Sequence, residues 1–318
     1  MRPSLLASIV LLAAATVWAE APKTVTVAAT GADFATVQAA VDAAKASKQP
    51  TVLSIKPGIY KEKIVVPKGS PAITFKGDTD DPSKVVLTFD LKASSPGPDG
   101  KNVGTSGSTS TLIAADDFSA EYVTFENSAG DVGQAVAIKT TGDKLVFRHC
   151  RFLGWQDTLY AHGGRVYFAD CYIEGRTDFI FGRSPALFER CEIHSKQGSY
   201  ITAGASPPEQ AWGLVFRDCK LTGEGSGKTF LGRPWRDGAM TAFVRCELGD
   251  HIKPEGWSGW DGREKTARYY EVDCTGPGAD RSKRVDWSHG NEGELAEKLR
   301  SENVLAGNDG WNPVLAKH

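Results

Sequence analysis

The sequence has no excess of positive charge. Lys and Arg total 37 against 39 Asp and Glu, a formal net charge of -2, so no global field draws nucleic acid, and an acidic polymer has to be held locally. Histidine is scarce, with six residues and no metal-ligand spacing among them. No Gly-x-Ser-x-Gly segment occurs, which removes the serine-elbow esterases. A phosphate-loop look-alike, Gly223 to Thr229, has Thr222 where that pattern needs glycine and lacks the strand-to-helix setting. After residue 17 no apolar run is long enough to span a bilayer.

The N-terminus does carry a short apolar run. Arg2 precedes Leu5 to Val17, and Trp18-Ala19-Glu20 follows. That order reads as a signal peptide over 1–19, cleaved after Ala19, with a membrane anchor as the rival. The reading implies a secreted or periplasmic protein whose residues 20–318 form a single domain, by default a monomer. Six cysteines would then suggest disulfides, but their spacing says something else.

The cysteines stand at 150, 171, 191, 219, 246 and 274, at intervals of 21, 20, 28, 27 and 28. Five share a context, VFRHCRF, YFADCYI, LFERCEI, VFRDCKL and AFVRCEL, each with a phenylalanine three residues before the cysteine. A sixth, YEVDCTG, has lost the aromatic. Alternating apolar and polar residues predict short strands, and a period in the twenties predicts a solenoid. A parallel β-helix fits best, with equivalent residues stacked about 4.8 Å apart. FSAEYVTFENS (118–128) and PAITFKG (71–77) extend it upstream. Only neighbouring cysteines can pair at that spacing. Most are expected to be buried and reduced, with one bridge, Cys171–Cys191.

DFATVQAAVDAAKAS (33–47) predicts a helix, with Phe34, Val37, Val41 and Ala44 on one stripe, that caps the open N-terminal coil. Lys92 to Thr111 reads as a surface loop or poorly ordered excursion. ELAEKLRSENVL (294–305) reads as a short amphipathic helix packed back on the solenoid.

Asp157 and Asp178 each lie seven residues after a cysteine, so stacking sets them side by side, with Gly198 expected on the next rung. Gln156 precedes Asp157, and Gln134 lies one coil earlier. Two charges about 5 Å apart at an effective dielectric of about 20 repel by roughly 3 kcal/mol, about two pKa units. One carboxyl then stays protonated while the other ionises, giving an acid and a nucleophile in an order that spacing does not settle. Arg233 is the candidate cation for one of them, and Gln134 and Gln156 could donate to an oxyanion. Stacked Asp and Gln could equally form polar ladders. Trp235 could be a sugar platform or ordinary packing.

Five segments together carry a resemblance: Gly58 to Glu62 (GIYKE), Gly133 to Ala137 (GQAVA), Gln156 to Leu159 (QDTL), Asp178 to Gly182 (DFIFG) and Leu231 to Trp235 (LGRPW). In order and spacing they resemble the pectin methylesterases, bacterial members being the closer likeness for want of a plant-type pro-region. The resemblance implies a right-handed parallel β-helix that binds pectin, a methylated homogalacturonan, and hydrolyses its methyl esters. It implies Asp178 as nucleophile, Asp157 as general acid and then base, and Gln134 and Gln156 as oxyanion donors. Arg233 would keep Asp178 ionised, Trp235 and Phe181 would line sugar subsites, and no metal or organic cofactor is implied. Two rivals stand beside it: another β-helix hydrolase acting on polygalacturonate, such as a retaining glycosidase, and a noncatalytic carbohydrate-binding solenoid.

Overall fold

The computed structural model describes residues 21–291 and 294–315, so the expected signal peptide lies outside the described residues. All the strand pairings between coils are parallel, in one sheet of ten strands and one of thirteen. Parallel strands joined by crossovers of this kind wind right-handed, and the chain is a right-handed parallel β-helix.

The period comes from the corners. His149, Asp170, Arg190, Asp218, Arg245 and Asp273 each stand just before a cysteine and each have a left-handed backbone, φ between 50° and 55°. That bend turns the chain from the ten-stranded sheet into the next strand. The phenylalanines three before the cysteines fall in register. Phe147, Phe168, Phe188, Phe216 and Phe243 stack with centroids 4.5–5.0 Å apart, a buried spine of aromatic area. Upstream the spine meets Ala120, and Phe118 fills that space against Phe75 and Phe147. Downstream, Phe243 pairs with Glu271, the position where the repeat loses its aromatic. Glu271 is buried and neutralised by Arg281 and Arg284, with the Trp257 indole N–H donating to it at 2.9 Å. A buried carboxylate needs such partners, and here they fasten the chain beyond residue 280 to the last coil.

All six cysteines are free, so the expected Cys171–Cys191 bridge is not formed. The two lie on adjacent rungs, each one residue before the paired Tyr172 and Glu192. Each thiol donates instead to backbone carbonyls: Cys171 to Ala169 O at 3.3 Å, Cys191 to Glu189 O at 3.5 Å.

The N-terminal cap is a helix over Val37–Ser47 that buries Val37, Ala40, Val41 and Ala44. It starts later than expected because Thr36 is its N-cap, accepting from Ala39 N, while Phe34 stays outside and bridges to Val27. Both Glu62 oxygens accept the exposed N–H groups of Val37 and Gln38, at 2.8 and 3.0 Å, a favourable place for a carboxylate. The GIYKE segment therefore secures the cap.

The 92–111 excursion is ordered. Asn127 Nδ2 donates to Leu91 O, Ser108 O and Val136 O, and a one-turn helix forms over Gly104–Gly107. At the other end, the expected helix over 294–305 is two single turns, Leu295–Lys298 and Ser301–Val304. Arg217, reaching up from the sheet, takes the carbonyls of Ala296 and Leu299 at 3.2 and 2.8 Å and breaks the ladder there. Leu299, Val304 and Leu305 still pack on the outer face of the ten-stranded sheet, as amphipathicity requires.

Candidate active site

Asp157 and Asp178 do not sit on regular strand. Their φ values are 66° and 51°, in the left-handed region that aspartate tolerates better than most residues. Asp178 sits at a register shift within the strand Tyr172–Gly182, and Asp157 in the bend before Leu159, where pairing with Ile180 begins. These left-handed positions turn both carboxyls into one cleft of about 590 Å³, where each residue is only 6% exposed. Gln134 and Gln156 form a parallel bridge on the coils beside them, with Ala135 N donating to Gln156 O at 3.1 Å. Both amides line the cleft, with no side-chain partner among the described residues.

Arg233 reaches the pair from two coils away. Tyr160, Phe181, Ala203 and Arg233 follow one another in register, and the small Ala203 leaves space for the guanidinium to pass back over it. Arg233 Nε donates to Asp178 Oδ1 at 3.0 Å and Nη2 to Oδ2 at 2.6 Å, a two-pronged charge-assisted pair. Its guanidinium lies 3.9 Å from the Tyr200 ring centroid and 4.0 Å from that of Trp260.

This asymmetry divides the two acids. Burial, then the charge of Asp178, pushes the Asp157 carboxyl up to about 8, with Arg233 opposing. Burial also raises Asp178, but the Arg233 hydrogen bonds and charge draw it back. The first proton held by the pair therefore resides on Asp157, leaving Asp178 the ionised member.

Every residue predicted for the site lines this cleft: Asp157, Asp178, Gln134, Gln156, Arg233, Trp235 and Phe181. Gly198 does not join them. The strand opposite Asp178 has register shifts between Gly175 and Ile180, and a Cβ on Gly198 would lie 2.5 Å from Lys228 O instead. Tyr160, Trp260 and the 103–106 turn are lining residues that the sequence reading missed. Tyr160 stacks on Phe181 at 4.1 Å, and Trp235 stands edge-on to both rings. A signal for Tyr160 was present, since it follows Asp157 by three residues as Phe181 follows Asp178. Trp260 sits in no repeat. Among the described residues no group of three or more His, Cys, Asp or Glu could hold a metal ion.

A family model described as Pectinesterase matches residues 24–307. The chain belongs to the pectinesterase family. Pectinesterase 31 of Arabidopsis thaliana is 43% identical over 266 residues, covering 80% of this chain and 83% of that protein. The pectin methylesterase PemA of Erwinia chrysanthemi superposes with a TM-score of 0.80 at 26% identity, over 93% of this chain and 100% of that one. A pectin methylesterase solved in complex with a hexasaccharide gives 0.80 and 27%, with the same coverage.

Proposed function

We propose that this pectinesterase hydrolyses galacturonate methyl esters of pectin to pectate and methanol, with Asp178 as nucleophile and Asp157 as acid and base. One observation carries the assignment: of two buried carboxyls in one cleft, Asp178 alone has a cationic hydrogen-bond partner among the described residues. An ionised Asp178 oxygen attacks the ester carbonyl carbon, and the oxyanion formed accepts hydrogen bonds from the Gln134 and Gln156 amides. The bond to the methoxy oxygen breaks as Asp157 gives it a proton, and methanol leaves. Asp157, now a carboxylate, takes a proton from water as that water attacks the Asp178 acyl intermediate. Cleavage returns the Asp178 carboxylate, a protonated Asp157 and a free galacturonate carboxyl. Phe181, Tyr160 and Trp235 supply apolar faces on which sugar rings can stack.

The polymer is the partner, and the protein acts as a monomer. Residues 1–19 direct export to the periplasm or beyond, and 20–318 act as one domain; among the described residues no helix is long and apolar enough to cross a membrane. The test is methanol release from highly methylated pectin without shortening of the polymer, lost almost entirely in Asp178→Asn. Shortened chains would instead favour a glycosidase, and undiminished pectin binding with no methanol release would favour a noncatalytic binder.

A further inference from the structure

Arg233 is held by more than its partner carboxylate. A planar guanidinium with two ring centroids within about 4 Å carries one ring on each face, here Trp260 and Tyr200. Trp260 lines the cleft, whereas Tyr200 does not. Tyr200 comes from the widened part of the strand Glu192–Gly204, where pairing shifts by several residues before Tyr200 meets Phe230. Its ring stacks flat on Phe230, 5.4 Å between centroids and 9° between planes. Lys253 Nζ lies 4.6 Å from the Phe230 centroid, and the Thr177 hydroxyl bonds that of Ser199 at 2.9 Å. The ring behind Arg233 is thus itself backed and fixed.

We propose that Tyr200 is a positioning residue for the ester hydrolysis: its ring, supported by Phe230, presses the guanidinium from behind and keeps its plane aligned with both Asp178 oxygens. The inference rests on the roles given above to Asp178 and Arg233. Arginine has many rotamers of similar energy, and a two-pronged pair forms only when the fork lies in the carboxylate plane. A flat aromatic surface removes the freedom to leave that plane and adds a cation–π attraction. Because the ring does not reach the cleft, its effect passes through Arg233 rather than through substrate.

The test compares variants at Tyr200. Tyr200→Leu removes the flat face and is expected to lower kcat roughly 5–20-fold at neutral pH, the range of a partly buried cation–π contact. KM should stay within about twofold, and the acid limb of the kcat profile should move to higher pH as Asp178 loses its aligned cation. Tyr200→Phe keeps the ring and should remain within about twofold of the parent on every measure. In an Arg233→Lys background, which has no planar group to clamp, Tyr200→Leu should change kcat by less than about twofold. Tyr200→Met, with a long side chain that fills more of the site, is held to the same readouts should Tyr200→Leu not melt as a folded protein. A higher KM with an unmoved acid limb would make Tyr200 a substrate contact and overturn the proposal. So would equal damage from Tyr200→Phe and Tyr200→Leu, which would assign the effect to the hydroxyl. If Asp178→Asn is inactive and the Tyr200 variants behave as the parent, only this inference falls; an active Asp178→Asn removes the reading beneath it.

Discussion

Replacing Arg233 by alanine isolates the step on which the proposed chemistry depends. Asp178 is 6% exposed and has two hydrogen bonds from Arg233, at 3.0 and 2.6 Å. With charge centres about 4 Å apart and an effective dielectric of about 20, that cation stabilises the carboxylate by about 4 kcal/mol. The figure corresponds to about three pKa units. Without it, burial alone acts on Asp178, so its pKa rises and its ionised fraction at neutral pH falls. We expect the acid limb of kcat/KM in Arg233→Ala to move up by about 2–3 pH units, and activity at pH 7 to fall by more than about tenfold. Arg233→Lys keeps the charge and loses the fork, and should fall between. Initial rates of methanol release from about pH 4 to 9, with circular dichroism to verify folding, give the answer. A midpoint within about half a unit of the parent and a loss below about threefold would refute the idea that Arg233 maintains Asp178 as an anion. A large loss with no shift would move its action to the substrate.

Asp157 predicts the opposite limb. Its pKa in the folded protein, about 8, lies above the ordinary 3.8, so the folded state holds a proton that the unfolded chain releases. That contribution is complete below the unfolded value and disappears as pH rises through about 8, on the order of 3–5 kcal/mol over the window. Asp157→Asn should therefore melt higher than the parent at alkaline pH and close to it near pH 4, while losing turnover; parallel melting curves across pH would contradict this. Activity of the parent should also decline above about pH 8, where the acid is ionised. Gln134→Ala and Gln156→Ala should each cost about 10²–10³ in kcat with a smaller change in KM, and a pure KM effect would show binding of the ground state instead. Thiol titration of the denatured, unreduced protein should count all six cysteines; a count of four would restore one bridge.

The spine and the acid pair were legible because a solenoid repeats its local physics. The aromatic before each cysteine and the acid seven after two of them are periodic, and periodicity is visible without coordinates. What failed were departures from period. Gly198 was placed by counting from Cys191, yet the chain widens between Ser195 and Tyr200 and carries it away from the acid column. Trp260 belongs to a segment outside the repeat, and only the path of the chain brings it over Arg233. The 92–111 excursion has the composition of a loose loop, yet its backbone is tied by Ala93 N to Gln134 O and Gly104 N to Ala93 O, and Asn127 from outside it holds Ser108 O. Most of the cysteines are buried and free, as the spacing implies; only the Cys171–Cys191 bridge is absent, since adjacency in a column permits a bridge without requiring one. Glu271 marked the end of the core by breaking its pattern, but the two arginines answering it lie where no repeat points.

The two left-handed aspartates also set how this scaffold tolerates insertion and deletion. Coils after Cys191 already run six to eight residues longer than the two before it, and the spine accepts them because extra residues leave by the loops. The strand segments that carry Asp157 and Asp178 have no such latitude. One residue gained or lost within them would send a carboxyl to the opposite side of its strand, so length change between the two acids should be confined to the turn at 162–165.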